Sequence, residues 1–423
     1  MEKGKLENRI ADIIRQPVRI LNATVGKPYE ARLDLKKLKW NDLTHFYLDN
    51  LEQTGLAYDE NSHQITGIPA QSGDVSLSLK FKIEGEPDEA PYHEKLISLI
   101  VNPDPKTLWK NLESNREDPF WKEDNVTLLA PLADRFLLAS SKRGRSHANT
   151  GSFREDDFAY KEFETGWCLL VVADGAGSAK FSRKGSALAC QALVDYFTQN
   201  AADENRDEFD ELLKLHHRSG DDEAQKKLNR YVYDKLGKAA VYAHKQLEEF
   251  AVKTSIQLKE LNTTLIFTLF KHYDDLGWAF LSFGVGDCPI AVLNNDVSEL
   301  TLMNWLDVGE FGGGTRFITM PDIFHHEKFA TRFGFKLADD FSYLMMMTDG
   351  IYDAKFVVES NLADPKKWKD FLADLQGKNE DAMGISFNAA DENIVPRFSA
   401  WMDFWSPGNH DDRTLAIVFK SEA

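Results

Sequence analysis

Four aspartates sit at the ends of separate apolar runs in this 423-residue chain. Asp174 follows Cys168-Leu169-Leu170-Val171-Val172-Ala173, and Asp287 follows Phe283-Gly284-Val285-Gly286. Asp349 follows Met345-Met346-Met347-Thr348, and Asp411 shortly precedes Thr414–Phe419. A strand end is rigid, so acids placed there are held to the tolerances that a metal or catalytic site needs. Left bare and close together they repel and raise one another's pKa, so such a cluster calls for a counter-cation. An all-oxygen ligand set suits magnesium or manganese, and no Cys/His set favours zinc. Each Asp-Gly alone is an ordinary turn signal; the weight lies in their joint occurrence.

The elements that position these acids come from the apolar runs themselves. Trp167–Ala173, Thr264–Phe270, Ala279–Val285, Tyr343–Thr348 and Thr414–Phe419 read as strands, and Ser182–Gln199 and Leu228–Phe250 as helices. An acidic segment, Asp203–Glu211, joins the helices and reads as a solvent-facing insertion. Upstream, residues 18–101 read as all-β. Val75, Leu77, Leu79, Phe81 and Ile83 alternate with polar residues, and turns such as Gly67-Ile68-Pro69 and Ser72-Gly73-Asp74 punctuate the segment. Residues 1–17 read as a short amphipathic helix with Leu6, Ile10, Ile13 and Ile14 on one face. Residues 102–125 open on Asn102-Pro103-Asp104-Pro105 and read as a linker whose Trp109, Phe120 and Trp121 dock on a neighbouring domain. The last domain is then 126–423.

Composition narrows the function classes. At 43% hydrophobic and 12% aromatic the chain folds around a core. Its 50 Lys+Arg against 68 Asp+Glu give a net charge of −18, which disfavours nucleic acid and anionic membrane as partners. Cys168, Cys190 and Cys288 lie in apolar stretches with no CxxC spacing, as expected of buried free thiols in a reducing compartment. No apolar run is long enough to span a bilayer, and the cytoplasm is the expected location.

The ordered motifs resemble those of the type 2C metal-dependent (PPM-type) protein serine/threonine phosphatases. They are Glu155-Asp156, Val172-Ala173-Asp174-Gly175-Ala176-Gly177, Thr263-Thr264-Leu265, Val285-Gly286-Asp287, Thr348-Asp349-Gly350-Ile351-Tyr352-Asp353 and Asp411-Asp412-Arg413-Thr414. Gly144-Arg145-Ser146-His147 further resembles a bacterial branch of that family. The resemblance implies an α+β fold, an αββα sandwich of two antiparallel sheets flanked by helices. It implies two Mn2+ or Mg2+ ions, with Asp174 bridging them, the Gly175 carbonyl on the first, and Asp349 and Asp411 on the second. Glu155 and Asp156 would contribute directly or through water, and Asp287 matches an acid used for a third ion. The implied substrate is a phosphoprotein, and a bacterial Ser/Thr kinase is the implied partner. The stretch before the last domain is similar to immunoglobulin- and cadherin-like β-sandwiches in its Gly55 to Asp74 strand-turn-strand pattern.

The cationic stretch from Arg135 to Arg154 comes from the residues alone. It holds Arg135, Lys142, Arg143, Arg145 and Arg154 with no acid, and reads as a cationic lip leading phosphoryl groups to Glu155-Asp156. The sequence departs from the family at three points. Gly151 stands where a phosphate-binding Arg is usual, leaving Arg145 or Arg154 to substitute. Ala176 stands where some members carry a general-acid His, which turns attention to His147. Cys288 stands where Ser is common and reads as a small buried hydrophobe. The insertion between Leu302 and Tyr343, with Gly309 to Arg316, reads as a flap beside the cleft. Two other readings stay open: a pseudophosphatase that binds phosphoprotein without turnover, and a phosphatase of small phosphoesters.

Overall fold

A computed structural model describes residues 2–51, 53–200, 206–220, 222–308, 314–325 and 327–422. The chain divides into two compact units, Met1–Trp109 and Lys110–Ala423.

In the first unit, helix α1 (Glu2–Arg15) precedes β1 (Ala23–Thr24), β2 (Tyr29–Arg32), the one-turn helix α2 (Leu35–Leu38), β3 (Leu43–Asp49), β4 (Leu56–Asp59), β5 (Gln64–Gly67), β6 (Gly73–Ile83) and β7 (His93–Asn102). The strands form two sheets, ordered β1-β7-β6-β3 and β2-β5-β4, with β1 running parallel to β7. Strand β7 alternates buried and exposed positions along its length, the period-2 signature of a sheet with one covered face. Both sheets bury side chains in one core around Trp40, Ile65, Leu77, Phe81 and Leu99. Ile13 of α1 joins that core, so the amino-terminal helix is part of the unit.

The second unit is layered helix, sheet, sheet, helix. Its elements are β8 (Asn125–Leu132), β9 (Arg135–Lys142), α3 (Arg145–Thr150), β10 (Asp157–Glu162), β11 (Cys168–Ala173), α4 (Ser182–Gln199), α5 (Arg206–Ser219), α6 (Asp222–Thr254), β12 (Leu265–Tyr273), β13 (Gly277–Val285), β14 (Ile290–Leu293), β15 (Leu300–Leu302), β16 (Phe333–Ala338), β17 (Tyr343–Met347), α7 (Asp349–Phe356), α8 (Pro365–Leu375), α9 (Ile394–Trp401) and β18 (Arg413–Phe419). Among the described residues the sheets run β10-β11-β12-β13-β16 and β15-β14-β17-β18-β9-β8, and every pairing in them is antiparallel. The layering follows from alternation along each central strand. Leu169, Val171 and Ala173 of β11 face α4 to α6, while Cys168, Leu170 and Val172 face the other sheet. On β18, Leu415, Ile417 and Phe419 face α7 to α9, while Ala416 and Val418 point between the sheets. Central strands covered on both faces read as continuous apolar runs.

The structure divides the expected linker at Trp109, and residues from Lys110 onward belong to the second unit. Residues 203–205 of the acidic insertion and 309–313 of the glycine-rich insertion lie outside the described residues. The remainder of the acidic segment enters α5, where Phe209 is buried in the core under α6 and the Asp210 carboxylate accepts from the Tyr273 hydroxyl at 2.6 Å. That segment is therefore more than a solvated face.

Candidate metal centre

Strand ends bring the acids together. Asp174 closes β11, and its backbone is clamped by the loop before β12. The Asp174 N–H donates to Thr264 Oγ1 at 2.9 Å, the Thr264 N–H donates to the Asp174 carbonyl at 2.8 Å, and the Thr263 hydroxyl donates to the same carbonyl at 2.9 Å. Gly175 comes next because the chain passes too close to the acid loop for a side chain: a Cβ there would stand 2.7 Å from the Glu155 carbonyl oxygen. Asp349 starts α7, with its carboxyl in hydrogen-bonding reach of Asp174. Asp287 follows β13, and ligand atoms of Asp174, Asp287 and Cys288 lie within 4.8 Å of one another. Asp411 stands at the open side, before β18.

Asp156 ties the sheets together. It is 1% exposed, and its Oδ2 accepts from Thr348 Oγ1 at the end of β17 and from Thr414 Oγ1 on β18, each at 2.8 Å. Burial pushes the Asp156 and Asp174 carboxyls far above the usual range, reinforced by Asp412 on the former and by Asp156 and Asp349 on the latter. Burial with the charges of Asp287 and Asp411 lifts Asp349 to about 7, and burial raises Asp287 and Asp411 as well. Converging buried carboxylates that obstruct one another's ionisation are a donor set fitted to a hard divalent cation. Asp174, Asp349, Asp411, Asp156 and Asp287 are the residues able to hold it. Cys288 adds little to such a set, because a soft thiol is a poor ligand for a hard divalent cation.

His147, Asp411 and Asp412 also converge, but Asp412 is already spent. It accepts from His147 Nδ1 at 2.9 Å and from the backbone N–H groups of Gly144 and Glu155, each at 2.5 Å. Burial alone would raise Asp412; the His147 hydrogen bond and charge outweigh it and hold the carboxyl below its usual range. Burial likewise opposes protonation of His147, yet Asp412, Glu155 and Asp411 lift the imidazole to about 9. His147 is therefore a cation paired to Asp412, with Nε2 3.8 Å from Glu155 Oε2. Burial lifts Glu155 to about 7 against the pull of His147.

The cationic lip is corrected by the structure. Arg135 is buried at the far end of β9, paired with Asp134 and Asp340, while Lys142 pairs with Asp403 at 2.7 Å and Arg143 with Asp124 at 3.2 Å. Arg154 is 2% exposed and spends its guanidinium on Glu123 O, Ser141 Oγ and Asp156 O, so it braces the interior and is closed to a phosphoryl group. Arg145, partly exposed in the first turn of α3, donates to Asp403 O at 2.6 Å with its guanidinium over the Trp405 ring.

Sequence reasoning passed over three participants. Asp412 sits inside a quoted motif, but nothing in Asp411-Asp412 tells which carboxylate turns inward. Asp353 lies one helical turn after Asp349 and is raised by burial and by Asp411; the Asp349 to Asp353 spacing was the available signal. Lys122, in the supposed linker, reaches Asp156 O at 2.6 Å and carried no motif.

The family described as protein phosphatase 2C matches residues 143–387, more than half of the chain. Among solved structures, a bacterial serine phosphatase is 15% identical, covering 68% of this chain and 98% of its own at a TM-score of 0.37. The serine/threonine phosphatase Stp1 from Staphylococcus aureus is 14% identical, covering 70% and 98% at a TM-score of 0.37. The PPM Ser-Thr phosphatase MsPP from Mycobacterium smegmatis, in complex with cacodylate, is 13% identical, covering 67% and 97% at a TM-score of 0.34. No curated protein sequence matches. On the extent of the family match, the chain belongs to the protein phosphatase 2C family of enzymes.

Proposed function

We propose that this phosphatase hydrolyses phosphoserine and phosphothreonine in proteins with the help of two Mn2+ or Mg2+ ions, opposing a bacterial Ser/Thr kinase in the cytoplasm. The observation that carries the reading is the convergence of Asp156, Asp174, Asp287, Asp349 and Asp411, whose carboxyls are all raised by burial and by neighbouring acids. Asp174, the Gly175 carbonyl, Asp349 and Asp411 would hold the ions, with Glu155 and Asp156 contributing directly or through water and Asp287 available to a further one. When bound, such ions supply a nucleophilic water at neutral pH and neutralise the charge of the phosphoryl oxygens.

The chain's own residues do the rest. Arg145 orients the phosphoryl group, its guanidinium preset by Asp403 O and the Trp405 ring. His147, kept protonated by Asp412, carries a proton that can pass to the departing serine or threonine oxygen. Cys168, Cys190 and Cys288 are free and buried, which supports a reducing compartment. Among the described residues no helix is long and apolar enough to cross a membrane. The two sheets of the first unit would form the immunoglobulin-like module that recruits the partner or substrate. Anomalous diffraction from a manganese-soaked crystal tests the site: peaks are expected against Asp174, and their absence with peaks elsewhere would overturn the assignment.

A further inference from the structure

Residues 110–124, which follow directly on the first unit, form a strap across the loops that carry the site. The Lys110 N–H donates to Asn149 Oδ1 at 3.0 Å and the Leu112 N–H to Ala148 O at 2.9 Å, both on α3, the helix of Arg145 and His147. The Arg143 guanidinium returns to Leu112 O at 2.7 Å. Asp118 pairs with Arg183 at 2.8 Å in the first turn of α4, and Phe120 packs edge-on against Phe181 and Phe250. A solvated tether does not make these contacts.

The strap ends on Lys122. Its Nζ lies 2.6 Å from Asp156 O, 3.4 Å from Glu155 O, 3.0 Å from Asp157 Oδ2 and 3.2 Å from Ser186 Oγ. An ammonium has three protons to donate, and here they converge on consecutive residues of the acid loop. Ser186 Oγ donates in turn to Glu155 O, and Arg154 adds a second donor to Asp156 O at 2.6 Å. The carbonyls are held on one side while the Asp156 carboxylate is held on the other by Thr348 and Thr414.

We propose that Lys122 is a positioning residue of the metal centre, holding Glu155 and Asp156 in their cation-facing placement through the backbone carbonyls. The inference rests on the reading of the acid cluster as a divalent-cation site. Repulsion within the cluster pushes the acid pair outward, and pinned carbonyls resist that displacement. Lys122 does so without entering the cluster, where a cation would displace the metal: its carboxylate partner is Asp157, the first residue of β10. Groups that orient metal ligands typically matter by about 10- to 100-fold in metal affinity.

The test uses the full chain and Mn2+ alone, with isothermal titration well below the melting temperature and steady-state kinetics at saturating Mn2+ beside it. Lys122→Met is expected to weaken Mn2+ binding about tenfold or more, with KM for a phosphopeptide at saturating metal within about twofold of wild type. Lys122→Arg, which restores a cationic donor, is expected to recover most of the affinity. A lowered melting temperature with wild-type Mn2+ affinity is what a purely structural ion pair to Asp157 produces, and it would overturn the proposal. If Lys122→Met does not fold, Lys122→Gln keeps one donor and is expected to show an intermediate loss; wild-type affinity there would overturn it equally. Wild-type protein that binds no Mn2+ would overturn the metal-centre reading and this proposal with it, whereas tight wild-type binding left unmoved by Lys122→Met overturns the proposal alone.

Discussion

His147 Nδ1 lies 2.9 Å from Asp412 Oδ1, and the same carboxylate takes the backbone N–H groups of Gly144 and Glu155. One buried acid thereby joins the start of α3, the acid loop and the start of β18. The neighbouring backbone leaves no room to spare: a Cβ on Gly144 would overlap the Asp411 backbone, and one on Gly350 would overlap Asp412 O. Asp411 and Glu155 lie close to this pair, whose own charges are already balanced.

That pair predicts a pH dependence. The His147 pKa is raised to about 9 in the folded chain, so its stabilising contribution is fully present below about pH 6.5 and is lost as pH rises through 9. Asp412 is shifted the other way, so its contribution is present above the ordinary carboxylate range and lost as pH falls. In metal-free buffer, His147→Gln is expected to destabilise by on the order of 2 kcal/mol at pH 6 and by less than about 1 kcal/mol at pH 10. Denaturant titrations at the two pH values measure the difference. An equal effect at both would show that the imidazole is neutral throughout.

The acid cluster predicts the complementary behaviour toward cations. Glu155 and Asp349 are each raised to about 7, so without metal they favour the folded state below about pH 4 and lose that contribution as pH climbs through 7. A divalent cation reverses the loss by binding the ionised forms. The rise in melting temperature on adding about 1 mM Mn2+ should therefore be several degrees at pH 8 and less than half of that at pH 5. Thermal scans with and without the ion check this. A shift of the same size at both pH values would remove the carboxylates as its source.

Arg145 and Arg154 should separate cleanly. Arg154→Ala strips donors from Glu123 O, Ser141 Oγ and Asp156 O in the interior and is expected to cost about 2–4 kcal/mol of stability. Arg145→Ala is expected to leave stability within about 1 kcal/mol while lowering kcat/KM for a phosphopeptide by about 10- to 100-fold. Comparing unfolding midpoints with kinetics for both variants decides it. A purely kinetic defect in Arg154→Ala would reverse the two roles.

Which parts of the site were legible follows from where the information lies along the chain. Asp174, Asp287 and Asp349 are visible because an apolar run ending in Asp or Gly-Asp carries both the strand and its end within a few residues. The doubly buried central strands are visible for the same reason. The fates of Arg135 and Lys142 were not, because their acceptors arrive from far along the chain: Asp340 for Arg135 and Asp403 for Lys142 are more than 200 residues away. Arg154 turns inward onto Glu123 O, Ser141 Oγ and Asp156 O, a direction that a count of charges does not carry. A charge run therefore announced a lip where the structure has internal braces and a single open arginine. Residues 110–124 show no period and carry Pro119 and several charges, the pattern of a linker; its aromatics announced docking, as Phe120 does on Phe181 and Phe250, whereas the contacts of Asp118 and Lys122 appear only in the fold. Asp411 and Asp412 are chemically identical neighbours, and only the fold shows that Asp412 is the one turned inward, onto His147 and the Gly144 and Glu155 N–H groups.

The most direct test of the central claim is phosphate release from a phosphoserine or phosphothreonine peptide by the wild-type chain and by Asp174→Asn, each with Mn2+ and with EDTA. The expected result is Mn2+-dependent release by the wild type, its abolition by EDTA, and a loss of about 1,000-fold or more in Asp174→Asn. Release that survives both EDTA and Asp174→Asn would contradict it.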